Sequence, residues 1–420
     1  MAISKSQFEN TVTAITELLE GSGPADRRLS AWFRDNRKLG VHDRALIADT
    51  FYSILRRRRF LEHIAPEATP RRLVLACWLK LNGIATRELE PLLRKPELEW
   101  LRELKATSSD NLPLAVQAEL PDWLWGRLVV QYGDAEALTL ARTMQQGAPL
   151  DLRVNTLKAQ RDAVLERLRS KGIAAEATQL SSIGIRLTDK IPLHKHPLFL
   201  DGTIEVQDEG SQLLALLVAP RRGEMVADFC AGAGGKTLAL GAQMANTGRL
   251  YAFDVSERRL ANLKPRMARS GLSNVHPQLL GSERDPKLKR LFGKFDRVLV
   301  DAPCSGLGTL RRNPDLKWRQ TEMDIAELTV KQASILDSAA RLVKAGGRLV
   351  YATCSLLREE NEGIIEAFLA QHPDFHCINA VEVLAHGKVA VESGPYLQLL
   401  PHQHNTDGFF GAVLERAVVA

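Results

Sequence analysis

Two short segments place a cysteine where it could do chemistry. Asp301-Ala302-Pro303-Cys304 follows the apolar run Arg297 to Val300, and Thr353-Cys354-Ser355 follows the run Arg348 to Ala352. A thiol inside a buried strand is usually a small hydrophobe, whereas one just past a strand's carboxyl end faces the crevice in which open α/β sheets bind ligands. Two thiols and a carboxyl group suit alkylation of a pyrimidine at carbon 5. That carbon is a poor nucleophile until a thiolate adds at carbon 6 and turns the ring into an enamine. A carboxylic acid with a raised pKa, here Asp301, would assist by hydrogen bonding at ring nitrogen 3. Once carbon 5 is alkylated, a base must take its proton so that the thiolate can leave. An amino-group methyltransferase would carry Asn/Asp-Pro-Pro-aromatic after this strand, and Cys304 stands in place of that aromatic. Cys77, Cys230 and Cys377 read as small hydrophobes. Five cysteines without a C-x-x-C pair argue against a disulfide framework and against a zinc site, so no metal is expected.

The alkyl donor has its own signal. After the run Met225 to Asp228 comes Cys230-Ala231-Gly232-Ala233-Gly234-Gly235-Lys236-Thr237, a glycine-rich turn that opens a helix and lets a ligand approach the backbone. A nucleoside-triphosphate loop would need glycine where Cys230 stands, and the dinucleotide fingerprint fails at Thr237. S-adenosylmethionine remains. Asp254 ends the next strand, 19 residues past Gly235, where a carboxylate can accept both ribose hydroxyls.

The elements that must position these groups follow from the pattern of apolar residues. Strands are expected at Met225 to Phe229, Arg249 to Asp254, Val275 to Leu280, Arg297 to Asp301, Arg348 to Ala352 and Gly408 to Leu414. Between them lie helices such as Lys236 to Ala245 and Met323 to Val343, the latter closed by the glycine cap Lys344-Ala345-Gly346-Gly347. Alternating strands and helices predict a doubly wound α/β domain over 207–420. Residues 148–206 read as a small α+β insert, with strands Leu150 to Val154 and Ile183 to Leu187 around a helix from Arg161 to Lys171. Residues 1–147 repeat apolar positions at helical spacing and read as an all-helical domain. In it, a helix from Leu46 to Leu55 runs into Arg56-Arg57-Arg58-Arg59, which sweep most of the way round a helix. They serve either as a solvated face or as contacts to an RNA backbone, and in the second case charge reversal should flatten the salt dependence of RNA binding.

Composition sets bounds. The 420 residues are 45% apolar and 25% charged, which excludes a disordered or fibrous chain. A net charge of +6 is compatible with a polyanionic partner. No apolar window is long enough for a membrane span, and MAISKSQFENTVTAITELLE lacks a secretory pattern, so a cytoplasmic protein without a membrane partner is expected.

The chain resembles the Sun/Fmu family of RNA cytosine-5 methyltransferases. The resemblance rests on an ordered set of segments: Gln207-Asp208-Glu209-Gly210-Ser211, Cys230 to Thr237, Asp301 to Cys304, Arg312-Asn313-Pro314-Asp315-Leu316-Lys317-Trp318, Thr353-Cys354-Ser355 with Glu359-Glu360-Asn361-Glu362, and Thr406-Asp407-Gly408-Phe409-Phe410. The helical segment, with Leu39-Gly40-Val41-His42-Asp43-Arg44, is similar to a NusB-like RNA-binding domain. The resemblance implies a class I, Rossmann-like methyltransferase domain acting as a monomer on ribosomal, specifically 16S, RNA. It also implies that Cys354 attacks the base, that Cys304 assists release, and that Cys230 to Lys236, Asp254 and Asp301 hold S-adenosylmethionine. Lys236 would hold the cofactor carboxylate or shape the catalytic pocket. Trp318, Arg311 and Arg312 are either the lining of an RNA path or ordinary surface and core residues. Spacing alone does not choose between the thiols, since DNA cytosine methyltransferases use the Pro-Cys thiol as nucleophile.

Two departures stand out. The family's Ala-Pro-Gly-Gly-Lys is Gly232-Ala233-Gly234-Gly235-Lys236 here, a looser turn. The acid expected after the third strand is replaced by Leu280-Gly281-Ser282-Glu283, which makes Glu283 the candidate for adenine recognition. The competing readings are a non-catalytic RNA-binding assembly factor on the same fold, or the same chemistry on transfer RNA.

Overall fold

The computed structural model describes residues 3–108, 111–189 and 191–418. The chain forms two compact units, one made of residues 1–147 and 309–321, the other of 148–308 and 322–420.

The second unit holds two sheets. Strands β1 (Leu150–Val154), β2 (Ala175–Ala177), β3 (Gly184–Leu187) and β4 (Ile204–Val206) form an antiparallel sheet in the order β2-β3-β1-β4. The large sheet contains β5 (Met225–Asp228), β6 (Arg249–Asp254), β7 (Val275–Leu279), β8 (Phe295–Asp301), β9 (Val343–Thr353), β10 (Phe375–Ile378), β11 (Leu397–Leu399) and β12 (Phe409–Arg416). Its order is β10-β12-β9-β8-β5-β6-β7, with β11 beside β12 and the run from β9 to β7 parallel. The central strands carry continuous apolar runs, such as Val298 to Val300 and Leu349 to Ala352, because both faces are covered there. Along β9, Leu349 and Tyr351 enter the core beneath the helix Glu322–Ala340, while Val350 and Ala352 enter the core on the opposite face. Chain order reverses between β5 and β8, so a crevice opens at their carboxyl ends.

One sequence expectation fails here. Lys344 to Gly347 does not cap a helix: the helix ends at Ala340, and Val343 already begins β9. The two glycines serve the start of that strand, where Gly346 has φ +71° and a Cβ on Gly347 would lie 3.0 Å from the Phe295 carbonyl oxygen. Strands β2, β4, β10 and β11 were not expected; three are only three residues long and carry little pattern.

The first unit is helical, and two expectations about it are corrected. The arginine run is not one continuous helix. The helix Val41–Arg56 stops, Arg57 sits at φ −118° and ψ 29°, and a second helix runs Arg58–Ile64. The break is organised by Glu119, which is fully buried and accepts hydrogen bonds from the backbone N–H groups of Arg59 (2.9 Å) and Phe60 (3.1 Å) and from Arg57 Nε (3.1 Å). Arg59 pairs with Asp122, Arg58 with Glu62, and Arg56 donates to the Arg311 carbonyl. All four arginines are therefore engaged within the unit.

The second correction concerns residues 309–321, which sequence pattern placed in the α/β domain. They pack with the helical unit. Trp318 packs against its core and donates to the Leu55 carbonyl (2.8 Å), Lys317 is 4% exposed and donates to the Arg56 carbonyl (3.0 Å), and Asp315 accepts from the Ala25 N–H (3.0 Å). Arg311 is 4% exposed. Arg311 is thus buried in the helical unit, and Trp318 packs partly buried against its core.

Candidate active site

The carboxyl ends of β5, β6, β7, β8 and β9 open into one cavity of about 610 Å³. Register brings the thiols together. Asp301 on β8 pairs with Ala352 on β9, and the Ala302 N–H donates to the Ala352 carbonyl (2.9 Å), so Cys304 and Cys354 emerge side by side. Their Sγ atoms are 3.4 Å apart, and the Cys354 N–H points at Cys304 Sγ (3.3 Å). The loop after Cys304 is tight: Gly308 donates to the Cys354 carbonyl (2.9 Å), and a Cβ there would lie 2.1 Å from the Gly408 carbonyl oxygen. Its hydrogen bond with Cys354, together with burial, pushes the Cys304 thiol well above the usual thiol range.

Lys236, the last residue of the glycine loop motif, is 9% exposed and bonds Asp301 Oδ2 at 2.7 Å. Burial opposes its charge, but the adjacent Asp301 carboxylate, aided by Cys354 and Asp228, outweighs this and holds the ammonium above its ordinary range. The cavity therefore sees a Lys236–Asp301 pair rather than the lone carboxylic acid expected from sequence. Cys230 also lines this cavity and is not a mere core filler; burial raises its thiol strongly.

Of the expected cofactor residues, Cys230, Ala231, Gly232, Ala233, Gly235, Lys236, Asp254 and Asp301 line the cavity. Gly234 does not; it turns the chain into the helix Gly235–Gln243 at φ +85°, with no room for a side chain because a Cβ would sit 2.1 Å from Leu263. Asp254 accepts from the Gly232 N–H (2.8 Å) and the Ser256 N–H (2.7 Å), which fixes its carboxylate at the end of β6. Glu283 also lines the cavity, held by Lys331 (2.6 Å) and Ser334 (2.8 Å), and the Lys331 hydrogen bond lowers its carboxyl to about 2. Leu280 and Ile335 supply apolar wall beside it. Carboxylates at three strand ends, apolar wall between them and a glycine turn with no room for a side chain fit an adenosine-bearing ligand.

Sequence reasoning missed the groups that hold this loop. Arg153 on β1 is buried, donates to the Gly235 carbonyl (2.6 Å) and to Gln207, and is brought down to about 10 by burial. Arg266 donates to the Ala233 carbonyl (2.6 Å) and pairs with Glu205. Two guanidinium groups thus grip a turn that lacks the family's proline. The available signal was Leu150-Asp151-Leu152-Arg153, a strand whose charged residues share one face.

A doubly wound sheet in this order, with a glycine turn after β5 and an acid ending β6, defines a class I S-adenosylmethionine-dependent methyltransferase. The family model for 16S rRNA methyltransferase RsmB/F matches residues 215–415, and that for the RsmF/B-like ferredoxin-like domain matches 120–194. The chain is 36% identical to a probable ribosomal RNA small subunit methyltransferase B of Synechocystis, over 80% of this chain and 76% of that protein. It is 35% identical to its counterpart in Bacillus subtilis, over 78% and 73% of the two chains. The solved structure of PH0851 is 27% identical, with TM-score 0.79 over 99% of this chain and 100% of that one. The chain belongs to the RsmB/F family of ribosomal RNA methyltransferases, the RsmB-containing branch of the Sun/Fmu resemblance.

Proposed function

We propose that the protein forms 5-methylcytosine in small-subunit (16S) ribosomal RNA through a covalent adduct between Cys354 and carbon 6 of the base. The observation that carries this reading is the pair of thiols 3.4 Å apart beside the Lys236–Asp301 pair, all lining one cavity with the glycine turn. S-adenosylmethionine, when bound by the turn and Asp254, supplies an electrophilic methyl group. The residues of the chain do the rest. Cys354 adds to carbon 6 as its proton passes by way of the Asp301 carboxylate, steadied by Lys236, to ring nitrogen 3, which takes up the charge of the addition and leaves carbon 5 nucleophilic. Cys304 suits the later step. A thiol held neutral by its neighbour and by burial is a poor attacking group, but 3.4 Å from Cys354 Sγ it can pass its proton to the departing Cys354 sulfur and, as thiolate, take the proton from carbon 5, so that both cysteines end as thiols. The target cytosine must be unstacked, because a thiol cannot reach carbon 6 within a helix.

The test is adduct trapping. The Cys304→Ala protein, incubated with S-adenosylmethionine and unmodified ribosomal RNA, should run on a denaturing gel as a covalent protein–RNA species, and the Cys304→Ala/Cys354→Ala protein should not. Accumulation in Cys354→Ala instead would exchange the two roles.

A further inference from the structure

We propose that Glu360 is a positioning residue for the methyl-transfer reaction, a buried carboxylate that brackets the two thiol-bearing loops and sets the register of Cys304 against Cys354. The inference rests on the roles given to those thiols above.

Glu360 has no exposed surface. Its Oε1 accepts from the Ser305 N–H (2.8 Å) and Gln332 Nε2 (3.0 Å), and its Oε2 accepts from the hydroxyls of Ser305 (2.6 Å) and Ser355. Ser305 follows Cys304 and Ser355 follows Cys354, so one carboxylate ties together the residues immediately after both thiols. The two serine hydroxyls also meet each other at 3.2 Å. The turn is itself anchored: Tyr351 donates to the Glu360 carbonyl (2.7 Å), and Asn361 Nδ2 donates to the Ser355 carbonyl (3.1 Å). No cation among the described residues forms an ion pair with Glu360. A buried carboxylate held by four donors and no counter-ion is an expensive way to join two loops, since an apolar contact would do so without the desolvation cost. What it adds is direction, through hydrogen bonds at fixed angles, and a negative charge facing Cys304. That charge works with Cys354 and burial to keep the Cys304 thiol protonated. The titratable groups facing Cys304 are Cys354, Glu360 and Tyr351.

Two substitutions separate geometry from charge. Glu360→Ala removes the bracket; misplacement of reacting groups by about 1 Å costs on the order of 100-fold, so kcat for RNA methylation should fall by about that factor while the KM for RNA and the equilibrium binding of S-adenosylmethionine stay at wild-type values. Glu360→Gln keeps the volume and, with the Ser305 and Ser355 hydroxyls turned to accept from its amide nitrogen, the bracket, but not the charge. Its kcat should fall less, and the pH at which iodoacetamide alkylates Cys304, followed by peptide mass spectrometry, should move down. Should Glu360→Ala fail to fold, the Glu360→Gln alkylation profile decides. A wild-type profile in Glu360→Gln, or a kcat for folded Glu360→Ala within about threefold of wild type, would overturn the proposal. Wild type and Cys354→Ala run alongside: if methylation survives in Cys354→Ala, the thiol reading falls and the bracket with it, whereas Cys354-dependent methylation that ignores Glu360 removes the bracket alone.

Discussion

Glu283 shows how a missing motif residue can be replaced from one position further on. Its carboxylate lines the cavity at the end of β7, and Lys331 and Ser334 keep it ionised and oriented. If it accepts from the adenine amino group, Glu283→Ala should weaken S-adenosylmethionine binding about tenfold, the scale of one hydrogen bond to a charged group; isothermal titration with an unchanged Kd would reject this. Asp228, beneath the glycine turn, makes a different prediction. Burial raises its carboxyl to about 7 although Thr237 donates to it at 2.7 Å. The folded state then holds a proton that the unfolded chain releases near pH 4, so stability should fall as pH rises from about 4 to 7, by at most about 4 kcal/mol. Asp228→Asn should flatten that slope in melting temperature against pH, and an unaltered slope would show that Asp228 does not titrate in this range. Asp228 and Glu360 were hard to read in the sequence because burial and partners, not residue type, give them their character. Glu359-Glu360-Asn361-Glu362 stands out in the sequence only as a segment of the family resemblance, without a role for any one of its acids, and only the fold turns Glu360 inward.

At the scale of elements, the strands were legible because burial on both faces leaves a continuous apolar run ending in a chemically distinctive residue: Asp228, Asp254, Asp301 and Thr353 each close a strand. The glycine turn, Asp254, Asp301 and the two thiols could be grouped in advance because each lies at the same end of the same sheet. The arginine run and residues 309–321 were not legible, since their partners lie far away in the chain. Glu119, 62 residues from Arg57, breaks the helix within the arginine run by accepting from Arg57 and from the backbone N–H groups of Arg59 and Phe60. Glu119→Ala strands two backbone donors and a guanidinium, and should destabilise the helical unit by about 3–5 kcal/mol in urea unfolding. Arg57→Ala should likewise lower stability yet leave the salt dependence of RNA binding unchanged. A flattened salt slope at wild-type stability would instead restore the arginines as phosphate contacts.

For the whole molecule, the decisive arrangement is that donor site, ion pair and thiols share one crevice at the switch point of the sheet, while the described residues contain no helix long and apolar enough to cross a membrane. Membership in the RsmB/F family supplies ribosomal RNA as the substrate class, and the thiol pair supplies the reason to expect carbon 5 rather than a base nitrogen or a ribose hydroxyl. The most direct measurement is nucleoside analysis of small-subunit ribosomal RNA from a strain lacking this gene, after incubation with the protein and S-adenosylmethionine labelled in its methyl group. All label should elute as 5-methylcytidine, and none should be transferred by Cys354→Ala. Label in any other nucleoside, or undiminished 5-methylcytidine from Cys354→Ala, would contradict the account.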